Sequence, residues 1–135
     1  MKEKSVLCSL ALSFSILVTG CSKTHAAQRV YRDTIKISES DMALLCEGRK
    51  KCTIRLGNAT VATPEIGMTD GRRTIRVRIL RIDNQRQFKD ISEKDAADEG
   101  SDSKEELIQD LKKYYPQARN TDPITVIYFE RAEDC

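Results

Sequence analysis

Arg73-Thr74-Ile75-Arg76-Val77-Arg78-Ile79-Leu80-Arg81-Ile82 is the stretch on which the fold turns. Ile75, Val77 and Ile79 alternate with Arg76 and Arg78, the period-two pattern of a strand with one buried and one wet face, and the alternation slips at Leu80 before Arg81. Phe88 reads as belonging to a continuation of this strand. Upstream, Gly67-Met68-Thr69-Asp70-Gly71 reads as a turn, and Ala59 to Thr63, ended by Pro64, as a shorter strand. Lys51 to Leu56 reads as a strand with Cys52 and Ile54 toward the core and Lys51, Thr53 and Arg55 on the other face. Thr34 to Ile37 alternates in the same way.

Helical punctuation separates these strands. Ser38 or Ser40 can cap a helix running to Cys46, with Gly48 just past its end where a left-handed residue is wanted. Ser92 can cap a short helix through Lys94 to Glu99, stopped by Gly100. Ser103 and Glu106 have capping-box spacing ahead of a helix that puts Leu107, Leu111 and Tyr114 or Tyr115 on one face and ends at Pro116. Ile124 to Phe129 closes the chain as a buried strand. Short strands mixed with helices, without regular βαβ alternation, predict an α+β domain with a curled, mostly antiparallel sheet.

A length of 135 residues leaves room for one such domain, and 33% charged residues with 39% hydrophobic ones exclude collagen, low-complexity disorder and a polytopic membrane protein. The formal charge of +2 is too small to imply a polyanion partner by itself. His25 is the only histidine and lies in a stretch without periodicity, so His-based triads and multi-His metal sites are excluded; no cofactor or metal is implied.

The first twenty residues read as a leader. Lys2 and Lys4 precede an apolar run from Ser5 to Gly20 that is too short to span a bilayer comfortably, and Leu17-Val18-Thr19-Gly20-Cys21 resembles a bacterial lipobox. That resemblance implies a lipoprotein signal over residues 1–20, cleavage before Cys21, lipidation of the Cys21 thiol and a membrane-anchored envelope protein, with Ser22 favouring the outer membrane. The alternative is a buried hydrophobic helix carrying a chance cysteine, in a cytoplasmic protein. Residues 21–33 read as a tether. With Cys8 and Cys21 set aside, Cys46, Cys52 and Cys135 remain, without CxxC spacing. In an exported domain Cys46 and Cys52 could form a disulfide; otherwise both are buried thiols.

Charge is unevenly distributed. Arg49, Lys50, Lys51 and Arg55 are followed by Arg72, Arg73, Arg76, Arg78 and Arg81, whereas seven acidic residues against Lys94 and Lys104 fall between Glu93 and Glu106. This polarity suits either an anion-facing groove or the solvated faces of a half-buried sheet and two surface helices.

Two longer segments carry a family likeness. Glu47-Gly48-Arg49-Lys50-Lys51-Cys52-Thr53-Ile54-Arg55 and Ile91-Ser92-Glu93-Lys94-Asp95-Ala96-Ala97-Asp98-Glu99-Gly100, followed by Leu107, Tyr115-Pro116 and Val126-Ile127-Tyr128-Phe129-Glu130, resemble in order and spacing the ASCH domain of the PUA-like superfamily. The likeness spans residues 34–131 and implies a small curled β-barrel with short flanking helices, of a kind associated with RNA and modified nucleosides. Within that family the chain is similar to bacterial N(4)-acetylcytidine amidohydrolases, whose motif is matched by Gly48, Arg49, Lys50, Thr53, Ile54, Arg55 and Glu99. Resemblance implies Lys50 as proton acceptor, Thr53 as nucleophile and Glu99 as proton donor, with Arg49, Lys51 and Arg55 at the ligand. Leu56-Gly57-Asn58 leads almost directly into the next strand, where those enzymes carry a longer loop, which implies a differently walled pocket.

The chemistry makes its own demands. Amide hydrolysis needs an activated nucleophile, a base and an acid for the leaving amine. Lys50 would need a depressed pKa, in the direction that Arg49, Lys51, Arg55 and burial push, and Glu99 a raised one. Residues three apart on a strand face opposite sides, so Lys50 and Thr53 converge only if Lys50 precedes the strand, in a turn that Gly48 makes plausible. Two further expectations stand beside the hydrolase: a non-catalytic module holding RNA, a nucleotide or another anion on Arg49, Lys51, Arg55, Arg76 and Arg78, and an envelope domain serving protein contacts.

Overall fold

The structure, a computed structural model, describes residues 28–135. The leader expected over residues 1–20, Cys21 and His25 lie outside the described residues. The domain is α+β, built on a curled, open five-stranded sheet consistent with a PUA-like fold. Its elements are β1 (Arg29–Tyr31), β2 (Thr34–Lys36), α1 (Glu39–Cys46), β3 (Cys52–Leu56), β4 (Ala59–Val61), β5 (Glu65–Thr69), β6 (Thr74–Gln87), a short 3₁₀ turn (Phe88–Asp90), α2 (Glu93–Glu99), α3 (Lys104–Tyr114) and β7 (Pro123–Arg131). The main sheet runs β2-β5-β6-β7-β3, parallel at β2-β5 and antiparallel elsewhere, while β1 pairs parallel with β4 in a two-stranded sheet.

The long strand β6 organises the rest, pairing with β5 along its first third and with β7 along most of its length. Its register shifts between Ile79 and Arg81, where the apolar alternation slips, and Leu80 is left exposed. Two apolar clusters fill the domain. One packs α1, through Met42 and Leu45, onto Ile35, Ile66, Met68, Val77 and Phe129 of the sheet. The other packs α2 and α3, through Ala96, Leu107 and Leu111, onto Cys52, Ile54 and Val126.

The helix signals act at the expected places. Ser38 Oγ accepts from Asp41 N at 3.0 Å, Ser92 Oγ from Asp95 N at 3.2 Å and Ser103 Oγ from Glu106 N at 3.1 Å. Gly48 follows α1 with φ +79° and Gly100 follows α2 with φ +91°.

Four local readings are corrected. The turn placed at Gly67 to Gly71 is instead the strand β5, and the reversal lies over Asp70 to Arg73, where Asp70 N donates to Arg73 O at 3.3 Å. Gly67 disguises that strand: a Cβ there would lie 2.6 Å from Thr74 Cγ2 on the paired strand β6, so a larger residue would have to displace that side chain. The chain enters the fold before residue 34, because Arg29–Tyr31 is a strand against Ala59–Val61 rather than part of a tether. Phe88 sits in the 3₁₀ turn, buried under α3, not in the strand. Finally, the disulfide joins Cys46 to Cys135, whose Cα atoms are 5.7 Å apart, and Cys52 is a buried free thiol. Cys52 points inward from β3, whereas Ala132 N donating to Arg76 O at 2.9 Å steers the chain end past β6.

Candidate functional site

The site is assembled where α1 ends, β3 begins and α2 ends. After Gly48 turns the chain, Arg49 N and Lys50 N donate to Leu44 O at 2.9 and 3.2 Å, and Lys51 N donates to Asp98 O at 2.6 Å. Lys50 thus lies in the turn between α1 and β3, two residues ahead of the strand and tied on one side to α1 and on the other to α2, so it precedes β3 as strand parity required. Its side chain is 1% exposed and its Nζ donates to Glu99 Oε1, with Asp41 Oδ1 at 3.8 Å. Glu99 Oε2 accepts from Ile54 N at 2.8 Å. Because β3 is an edge strand, Glu99 takes an amide that no further strand would accept.

Burial is the largest influence on both partners. It opposes the charge of Lys50, but Glu99 and then Asp41 outweigh it and hold the Lys50 pKa above its usual value. For Glu99 burial wins over the opposing Lys50 charge, Asp41 adds to it, and the carboxyl is pushed up. The Glu99 direction is the one a proton donor needs. The Lys50 direction is opposite to the expectation, for a geometric reason: Arg49 leans outward toward Glu47 and Asp102, and Arg55 faces β2, so Lys50 looks at acids rather than at bases.

A cleft of about 660 Å³ opens beside this pair, lined among others by Asp41, Thr53, Arg55, Glu99, Lys113 and Tyr115. Thr53 is buried on β3 and its Oγ1 accepts from Arg55 Nε at 3.3 Å. Three of the candidate residues, Thr53, Arg55 and Glu99, therefore share the cleft. Lys50 lies behind it in contact with Glu99, and together with Lys51 it borders a second hollow of about 550 Å³. Arg49 is half exposed outside both. Arg76 and Arg78 are on the wet face of β6, Arg78 paired with Glu130 at 3.0 Å and Glu65 at 3.3 Å, and Arg76 with Glu65 at 3.9 Å. Sequence reasoning missed Asp41, which looks like any acidic residue in a helix first turn until the fold sets it opposite Lys50.

Lys50 and Glu99 can exchange one proton along their hydrogen bond without changing the net charge of the buried site. Ammonium with carboxylate and amine with carboxylic acid are two forms of the same pair: burial pushes toward the uncharged form, and the attraction between the charges toward the ionised one. The uncharged form has a base and an acid in place at once.

No family model and no curated protein matches the sequence. Solved structures do match the fold. The hypothetical protein PH0355 is 21% identical, with a TM-score of 0.58 over 74% of this chain and 98% of that one. Protein EF3133 from Enterococcus faecalis V583, of family DUF984, is 18% identical, with a TM-score of 0.56 over 82% of this chain and 86% of its own. Protein PF0455 from Pyrococcus furiosus is 20% identical, with a TM-score of 0.50 over 76% and 98%. The chain shares the fold of these small proteins.

Proposed function

We propose that this domain is an ASCH-type amidohydrolase that removes the acyl group from an N(4)-acetylcytidine-like nucleoside. The observation that carries the reading is the buried Lys50–Glu99 pair set against a cleft that also holds Thr53. A cleft of about 660 Å³ suits a nucleoside-sized ligand. In the uncharged form of the pair, Thr53 Oγ attacks the acyl carbon while its proton passes to the Lys50 amine. The amide C–N bond then breaks, and Glu99 protonates the departing amine, leaving an acyl-threonine beside an ammonium–carboxylate pair. Water cleaves that ester: it gives one proton to Glu99, its oxygen stays on the released acid, and Lys50 returns a proton to Thr53.

A second reading, a non-catalytic RNA- or nucleotide-binding module, is favoured by the raised Lys50 pKa and by Lys36, Arg55 and Lys113 along the cleft, which together suit an anion better than a proton transfer. The membrane-anchored envelope location implied by Cys21 is part of the proposal, and the Cys46–Cys135 disulfide supports an oxidising compartment.

The test is conversion of N(4)-acetylcytidine to cytidine by the purified protein, followed by chromatography, with Lys50→Ala alongside. Turnover that falls by about three orders of magnitude or more in the variant is expected for a lost general base. A folded wild-type protein without turnover sinks the hydrolase and leaves the binding module, which would bind oligonucleotides with strong salt dependence. Mass spectrometry of the N-terminus in the native host tests the anchor, because an unprocessed Met1 in the cytoplasm would remove it.

A further inference from the structure

Among the described residues two threonines are buried, Thr53 and Thr125. The Thr125 hydroxyl is fully used: it accepts from Ala59 N at 3.0 Å and donates to Gly57 O at 2.7 Å, tying β7 to the β3–β4 turn. The Thr53 hydroxyl accepts from Arg55 Nε at 3.3 Å and donates to no acceptor among the described residues. Thr53 lines the cleft, so its hydroxyl proton, uncommitted among the described residues, is available to what the cleft holds.

Arg55 is held from three sides. It lies two residues from Thr53 on β3 and so on the same face. Its Nη2 donates to the Lys36 carbonyl on β2 at 2.9 Å, and its guanidinium carbon lies 5.7 Å from the centre of the Tyr31 ring on β1. With Nε given to Thr53, two of its five N–H donors and one face are engaged, and the guanidinium is fixed in place.

We propose that Arg55 is a positioning residue that occupies the Thr53 oxygen and so leaves the hydroxyl proton free to be given up to a base. This rests on the hydrolase reading of the site. By donating through Nε, Arg55 leaves the hydroxyl hydrogen to find an acceptor elsewhere, and its fixed positive charge stabilises the threonine oxygen as the proton leaves. The strand β1, on which Tyr31 sits, thereby belongs to the site although it contributes no reacting atom.

The experiment compares wild type with Arg55→Gln and Arg55→Lys by two readouts. The first needs no substrate: side-chain couplings of Thr53 in threonine-methyl-labelled full-length protein report its χ1 populations, with Thr125 as the internal control of an intact fold. Wild type is expected to hold one Thr53 rotamer, Arg55→Gln to populate several, and Arg55→Lys to lie between, since an ammonium cannot donate to Thr53 and the Lys36 carbonyl in the same flat geometry. The second is turnover of N(4)-acetylcytidine, where kcat is expected to fall about 10- to 100-fold in Arg55→Gln with KM little changed. A single Thr53 rotamer retained in Arg55→Gln overturns the proposal. So does a raised KM at unchanged kcat, which would make Arg55 a ligand contact. If Arg55→Gln fails to fold, the Thr53 rotamers of Arg55→Lys decide. A wild type without turnover sinks the hydrolase alone, and the rotamer readout then decides the role of Arg55 by itself.

Discussion

Helix α2 carries two buried carboxylates four residues apart, Asp95 in its first turn and Glu99 in its last, each against a cation, and the fold treats them in opposite ways. Asp95 accepts from Ser92 N at 2.7 Å, from Ser92 Oγ at 3.0 Å and from both Arg86 terminal nitrogens, at the helix end that favours negative charge. Burial pushes its pKa up, but the Arg86 and Ser92 hydrogen bonds outweigh that and the carboxyl ends below its usual range. Glu99 has Lys50 and one amide, at the helix end that disfavours an anion, and is pushed up. One pair is saturated with donors and braces the helix. The other is left a donor short next to a cleft, which is the condition for moving a proton.

The comparison breaks hardest at Lys50. Replacing it with Met leaves Glu99 buried without a cation, and an expected loss of about 3–5 kcal/mol in denaturant unfolding follows from removing one partner of a buried pair. Adding Glu99→Gln in the same chain is expected to restore most of that loss. Arg86→Met should cost less, about 1–3 kcal/mol, because Asp95 keeps its Ser92 donors and the Arg86 side chain is 20% exposed. Equal losses for Lys50→Met and Arg86→Met would mean that the two pairs are alike and that the donor count decides nothing.

A smaller effect sharpens the same contrast. Asp95→Asn retains one acceptor oxygen for Ser92 and Arg86 but gives up the charge at the helix start, for an expected loss of about 0.5–2 kcal/mol and no direct effect on the cleft. Turnover that falls as steeply in Asp95→Asn as in Glu99→Gln would show that the brace and the site are one unit.

Much of this arrangement was legible because single residues carry it. Ser92 and Gly100 bound α2, the slip at Leu80 marks the bulge in β6, and Gly48 puts Lys50 in a turn. β5 stayed hidden because Gly67, packed closely against the Thr74 side chain, reads as a turn residue. The Cys46–Cys135 bond, the Asp41–Lys50 approach and the engagement of Arg55 by Lys36 and Tyr31 join residues 89, 9, 19 and 24 positions apart, distances over which spacing carries no geometric information. The local basic run around Lys50 even pointed the wrong way, since charge that is near in sequence is turned outward and acid from two helices is brought in.

The faintest expected difference lies in how stability follows pH. Asp95 has a folded pKa below its unfolded one, so its contribution is present above about pH 4 and is lost as pH falls through the folded value. Glu99 has a folded pKa above its unfolded one, so its contribution is full below about pH 4 and is lost as pH rises through the folded value. Lys50 also has a raised folded pKa; its share is full below about pH 10 and disappears only on the far alkaline side. Urea unfolding at successive pH values, with Asp95→Asn and Glu99→Gln as references that do not titrate, should therefore give difference curves of opposite slope. Wild type should lose ground against Asp95→Asn as the medium is acidified and gain it against Glu99→Gln. Two parallel slopes would mean that Glu99 is held as firmly ionised as Asp95, and a carboxylate so held has no proton to give to a leaving amine.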